Sequence, residues 1–118
     1  MGMTMQALAW LIFIALGVGF FSDVIEKRFN PNQDPATYIA EDGVREVVLK
    51  RNRAGHYVTA GTINGQSVVF MLDTGATGVA LPSKIADQLG VNRGRAFPTQ
   101  TATGISTSYA TSLDSVSV

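Results

Sequence analysis

Between Met1 and Ser22 there is no charged side chain, and from Ala7 to Phe21 every residue is apolar or glycine, Trp10, Phe13, Phe20 and Phe21 among them. Such a run leaves few folding options. Its length is close to the ~20 residues that carry a helix across the hydrocarbon of a bilayer. A cleaved signal peptide would call for a basic n-region, which is absent, and no convincing Ala-x-Ala site follows the run before the first charge at Asp23. A buried core helix fits poorly beside a remainder whose pattern is almost all β. The sequence therefore predicts a retained transmembrane anchor over residues 1–22.

Residues 23–43 read as a polar spacer. Asn30-Pro31-Asn32-Gln33-Asp34-Pro35 resists helix through its prolines, and its side chains offer no apolar core. The folded part is expected over residues 44–118. Arg45 to Arg51, with Val47, Val48 and Leu49, is a first strand. Tyr57–Ile63 and Gln66–Leu72 are the arms of a hairpin turning at Asn64-Gly65, where both residues accept positive φ. Val68 to Leu72 has no polar interruption, which predicts a strand covered on both faces. It runs into Asp73-Thr74-Gly75, then Ala76-Thr77-Gly78. Val79-Ala80-Leu81 is a further apolar strand. Pro82 opens a short helix over Lys84–Leu89, which Gly90 ends. Ala96 to Leu113 is rich in threonine and serine. A flexible Ser/Thr linker is one reading of it, and a β-hairpin centred on Gly104-Ile105 is the other, preferred because threonine forms strands well. The fold class is all-β with one short helix, preceded by the anchor.

Asp73-Thr74-Gly75 has the parts that carboxylate catalysis needs. A carboxylate can act as a general base if it is held rigidly, at a turn tight enough to want glycine, beside a small hydroxyl that braces the loop. The tripeptide alone is weak, and its context is what raises it. The order from about Tyr57 to Val118, hairpin, Asp-Thr-Gly-Ala-Thr, apolar strand, short helix and Thr-rich hairpin, resembles the retroviral-type (retropepsin-like) aspartic proteases, in particular the bacterial membrane-anchored members of clan AA. A phosphorylated aspartate of a transport ATPase would require an intervening lysine and a far longer chain.

That resemblance implies an acid-protease lobe, a partial closed barrel, hydrolysing peptide bonds. Asp73 would be the catalytic carboxylate. Thr74 would bond across a dimer, Gly75 would give the backbone room to turn, and Ala76 and Thr77 would complete the loop. Thr103, Gly104 and Ile105 would form a flap closing over an extended peptide substrate. The chain has 118 residues and one Asp-Thr-Gly, so the second aspartate of the dyad would come from another copy, in an isologous homodimer. Carboxylates about 3 Å apart share one proton and titrate as a unit. No metal or organic cofactor is implied.

The family's lobe continues past the flap to an apolar-apolar-Gly segment, a helix and a terminal strand. Roughly 75 residues after the spacer are few for an independent core. The expectation is a C-terminally incomplete lobe. A non-catalytic, membrane-tethered peptide-binding module with a degenerate lobe is the alternative function. Lys27 and Arg28 after the anchor would weakly place the lobe in the cytoplasm by the positive-inside rule, whereas the family implies the periplasmic side of a bacterial inner membrane, which we follow. Net charge is zero, giving no electrostatic case for nucleic acid, and Lys50-Arg51-Arg53 reads as a solvated strand end. The single histidine, His56, reads as a surface residue, and the absence of cysteine is silent on redox compartment.

Overall fold

Helix α1 runs from Met3 to Phe29 in the computed structural model, which describes residues 2–118. It continues past Ser22 because Glu26, Lys27 and Arg28 are good helix formers, and the two cations fall in the last turn, where the carbonyl end of the helix dipole favours them. It stops at Asn30, which sits at φ −120°, ψ 91°, the extended conformation that the following Pro31 imposes. No residue of α1 is buried. The helix is long and apolar enough to cross a bilayer.

The chain divides into two compact units, Met1–Ala60 with Phe70–Leu72, and Gly61–Val69 with Asp73–Val118. In the first, the segment after α1 departs from the extended spacer expected of its composition. Asn30 and Asn32 are only 4% and 7% exposed. The Asn32 amide donates to the carbonyls of Lys50 (2.9 Å) and Val58 (2.7 Å), while its Oδ1 accepts the Lys50 N–H (2.8 Å). Its own carbonyl accepts the Ala60 N–H (3.0 Å) and the Thr59 hydroxyl (3.3 Å). Asn52 Nδ2 donates to the carbonyl of Phe29 (3.0 Å), the last residue of α1. A carboxamide carries both donor and acceptor, so it can replace a strand partner where no ladder exists. Polar composition therefore does not make this stretch a free linker.

Two short strands follow, β1 (Thr37–Ile39) and β2 (Arg45–Val47), paired antiparallel with Tyr38 opposite Glu46. The expected first strand ends early, at Val47, and beyond it the Lys50 backbone bonds Asn32 instead of a strand. Val58 and Thr59, at the start of β3 (Tyr57–Ile63), are the fully buried side chains of this unit.

Strand β4 (Gln66–Leu72) follows β3 across Asn64-Gly65, with φ of 50° and 76°, the left-handed pair that suits a two-residue hairpin turn. Their sheet has the order β4-β3-β7, where β7 is Val116–Ser117. Strand β4 is therefore an edge, and no residue in it is buried, so it is not covered on both faces as its apolar run suggested. Val68 and Phe70 are half-buried, whereas Val69 and Met71 are 59% and 57% exposed.

In the second unit Ile63 is fully buried. Asn64 does more than turn the chain: its N–H donates to the carbonyl of Ser115 (3.0 Å), and its Oδ1 accepts the N–H groups of Asp114 (2.8 Å) and Ser115 (3.1 Å). These bonds seat β7, which pairs antiparallel with Thr62 and Ile63. Val79–Leu81 forms no strand, since no strand edge is paired with it. Helix α2 (Ser83–Leu89) ends at Gly90 in the left-handed conformation, φ 68°, a C-cap glycine. Strands β5 (Ala96–Thr101) and β6 (Gly104–Tyr109) form an isolated hairpin, so the threonine-rich stretch is ordered rather than a linker. Among the described residues the strands make three separate sheets, and no barrel closes. The reason lies in the pairing, because β5 bonds only β6 and β4 leaves its outer edge open.

Gly94 marks the tightest backbone approach. Its N–H donates to the carbonyl of Ala110 at 2.7 Å, and a Cβ there would stand 2.5 Å from that oxygen. Gly94→Ala is expected to destabilise this unit by about 1–3 kcal/mol, read as a lowered urea midpoint. An unchanged midpoint would show that the backbone yields freely here.

Candidate active site

The loop after β4 is shaped by its own carboxylate. Asp73 Oδ1 accepts the Gly75 N–H at 2.8 Å, and the Asp73 carbonyl accepts the Ala76 N–H at 3.1 Å. The side chain thus mimics a backbone turn, a habit of aspartate that closes tight loops. The φ of Gly75 is not in the left-handed region, and a Cβ there would lie 3.3 Å from Asp73 Oδ1, close enough that the carboxylate would have to yield by a few tenths of an ångström. Asp73, Thr74, Gly75, Ala76 and Thr77 are all exposed, so the carboxylate is open to solvent and to whatever docks on the loop. It was expected to emerge from a strand covered on both faces, and an edge strand presents it instead.

An exposed carboxylate with one oxygen held by an amide can accept a proton from water or bind a hydrogen-bond donor. Alone it lacks the second carboxyl group that the aspartic dyad requires. Among the described residues no three His, Cys, Asp or Glu side chains gather as a metal site would require.

The other sequence-predicted residues lie on the β5–β6 hairpin. Its turn falls on Ala102-Thr103, slightly before the expected centre at Gly104-Ile105, because Thr101 already pairs with Gly104. Gly104 adopts φ 133°, a conformation that glycine alone adopts cheaply. The Thr101 hydroxyl donates to the Gly104 carbonyl at 2.7 Å and lies 3.3 Å from that of Thr103. Ile105 is 78% exposed. Among the described residues no hydrogen bond joins this hairpin to the Asp73 loop. The structure brings Asp73, Gly75 and Ala76 together and leaves Thr103, Gly104 and Ile105 as a separate projection.

Sequence reading missed a groove of about 730 Å³ whose walls include Val79, Leu81, Ala86, Phe97, Tyr109 and Leu113. It begins at Gly78, just after the Asp73 loop, and Asp73 itself does not line it. Arg93, 5.1 Å from the centre of the Tyr109 ring, closes one wall with a cation–π contact. The apolar triplet Val79-Ala80-Leu81 was the available signal, since an apolar segment without a strand partner leaves its side chains to line a surface.

Comparison with known proteins places this segment. Residues 59–118 match the family described as "gag-polyprotein putative aspartyl protease". An uncharacterized protein in the cobV 5'region of Sinorhizobium sp is 36% identical over 58 residues, which is 48% of this chain and 25% of that protein. The uncharacterized protein RP867 of Rickettsia prowazekii (strain Madrid E) is 33% identical over 58 residues, 49% of this chain and 25% of its own length. The chain thus spans about a quarter of the length of these curated relatives. No solved structure matches it. With half of the chain matched, and the Asp73-Thr74-Gly75 loop inside the match, the chain belongs to the gag-polyprotein aspartyl protease family.

Proposed function

We propose that this chain is a membrane-anchored aspartic endopeptidase of the retropepsin-like, bacterial type, which works as a homodimer. The observation that carries the reading is the Asp73-Thr74-Gly75 loop, inside the family match, with its carboxylate exposed and oriented by the Gly75 N–H. In the dimer the two copies of Asp73 face one water across a two-fold axis. The ionised carboxylate takes a proton from that water as its oxygen attacks the peptide carbonyl, and the protonated carboxyl donates to the carbonyl oxygen. Breakdown of the tetrahedral intermediate passes a proton to the leaving amine and regenerates the shared-proton pair. Thr74 braces the two loops, Ala76 and Thr77 support them, and the hairpin tip with Thr103, Gly104 and Ile105 covers an extended peptide. Helix α1 holds the lobe to the inner membrane, on its periplasmic side.

Because each site needs two chains, specific activity of the detergent-solubilised protein on an unfolded peptide is expected to rise with protein concentration and then level off. At concentrations well below the dimer dissociation constant it should rise about in proportion to concentration, as mass action requires. Activity per chain that is constant on dilution would sink the two-chain dyad. Saturable peptide binding with no cleavage at any concentration would favour a peptide-binding module with a degenerate lobe.

A further inference from the structure

Two segments that carry five cations, the last turn of α1 and the loop from Lys50 to Arg53, are joined where α1 ends. Lys27 and Arg28 occupy its last turn. The Asn52 amide is bonded to the carbonyl of Phe29 at 3.0 Å, so Arg28 flanks that contact on one side, and Arg51 and Arg53 flank it on the other. Lys50 is fixed at its backbone by both ends of the Asn32 amide, at 2.8 and 2.9 Å. All five side chains are exposed. Among the described residues the one ion pair is Arg93 with Asp87, so none of the five is neutralised by a salt bridge. Residues 23–53 hold as many carboxylates as cations, so what sets the five apart is where they lie: at the end of α1 and on the loop that Asn32 and Asn52 bond. Sequence reading had separated Lys50-Arg51-Arg53 from the helix end, and the asparagine bonds join them.

The position of this cluster matters more than its charge. If the uncharged residues up to Ser22 span the hydrocarbon, Asp23 to Phe29 rise a further ~10 Å at 1.5 Å per residue, through the headgroup layer. We infer that Lys27, Arg28, Lys50, Arg51 and Arg53 form one rigid surface that binds the anionic headgroups of membrane phospholipids and so fixes how the domain stands on the bilayer. The inference rests on the reading of α1 as a membrane anchor, and it is independent of catalysis at Asp73. Cations near a negatively charged leaflet are drawn to it within a Debye length. Tethering to the membrane keeps these five there permanently, which favours lipid over a soluble polyanion.

The natural chain has no cysteine, so the full chain with Ala54→Cys carries a single dye on the exposed turn between Arg53 and Gly55. It is reconstituted in vesicles of phosphatidylcholine and phosphatidylglycerol in about equal parts, with acceptor dye on one lipid or the other. Energy transfer to labelled phosphatidylglycerol is expected to exceed transfer to labelled phosphatidylcholine about threefold and to fall towards equality in high salt, as screened surface charge requires. Lys50→Gln with Arg51→Gln and Arg53→Gln should remove most of the excess, leaving only the share due to Lys27 and Arg28; an unchanged excess would overturn the loop's part in the surface. Lys50→Gln with Arg53→Gln, which keeps the bond from Arg51 Nε to the Gly55 carbonyl (3.1 Å), should reduce it while leaving that loop intact. Equal transfer to both lipids in vesicles that carry the protein on flotation would overturn the headgroup surface and leave the anchor standing. Failure to float with any vesicle would overturn both.

Discussion

Asp73→Asn is expected to lower kcat/KM for cleavage of an unfolded peptide by about 10²- to 10⁴-fold, the scale of a lost general acid–base group. The same change should leave the fold almost untouched. Asparagine keeps an Oδ1 that can accept the Gly75 N–H, which Asp73 now accepts at 2.8 Å, and the side chain is exposed, so neither a buried charge nor a packing contact is removed. What disappears is the capacity to hold and release a proton. A dimeric dyad adds a second signature. Mixing the parent with excess Asp73→Asn chain should depress activity below simple dilution, because mixed dimers contain one competent carboxylate. Cleavage that survives Asp73→Asn would remove Asp73 from the chemistry. A thermal midpoint displaced by several degrees would assign the loop a structural role that its exposure does not suggest.

Asn32→Ala is expected to have the largest effect on stability. Three bonds go with the amide: two donated to the carbonyls of Lys50 and Val58, and one accepted from the Lys50 N–H. Asn32 and Val58 are both buried, so water does not readily replace the lost partner of the Val58 carbonyl. Leaving such groups unpaired costs about 2–4 kcal/mol. The readout is local. Trypsin cleaves after Lys50, Arg51 and Arg53, and a loss of 2 kcal/mol raises the open population, and with it the cleavage rate, by about 30-fold. Asn32→Asp tests the donors separately, since it keeps an acceptor for Lys50 and turns a carboxylate towards two carbonyls; it should be at least as damaging. A cleavage rate close to that of the parent would show that the segment after α1 is a free tether after all.

Much of the local structure can be read from residues because it depends on neighbours in sequence. The charge-free run makes a helix, Asn64-Gly65 turns a hairpin by accepting positive φ, and Gly90 caps α2 in the left-handed conformation. The threonine-rich stretch pairs with itself as β5 and β6. Asp73-Thr74-Gly75 falls at the end of β4, in a loop closed by its own carboxylate. Each of these rests on bonds spanning a few residues, and a chain carries that information in order.

The misread parts depend on partners distant in sequence. The apolar run Val68–Leu72 suggested a strand covered on both faces, yet coverage is a property of what packs against it, and β4 is an edge. Val79-Ala80-Leu81 has strand chemistry and lines a groove, because a strand requires an edge to pair with. Asn30-Pro31-Asn32 has the composition of a linker, yet both asparagines are buried: the Asn32 amide bonds backbone groups of residues 50 and 58, and Asn30 Oδ1 accepts the Asn32 N–H. The sequence by itself thus determined the apolar helix, the turns and the loop that carries Asp73. Only the tertiary structure decided which faces stay open and that the asparagines bind the helix end to the basic loop, because burial and long-range hydrogen bonding arise from contacts that no local pattern encodes.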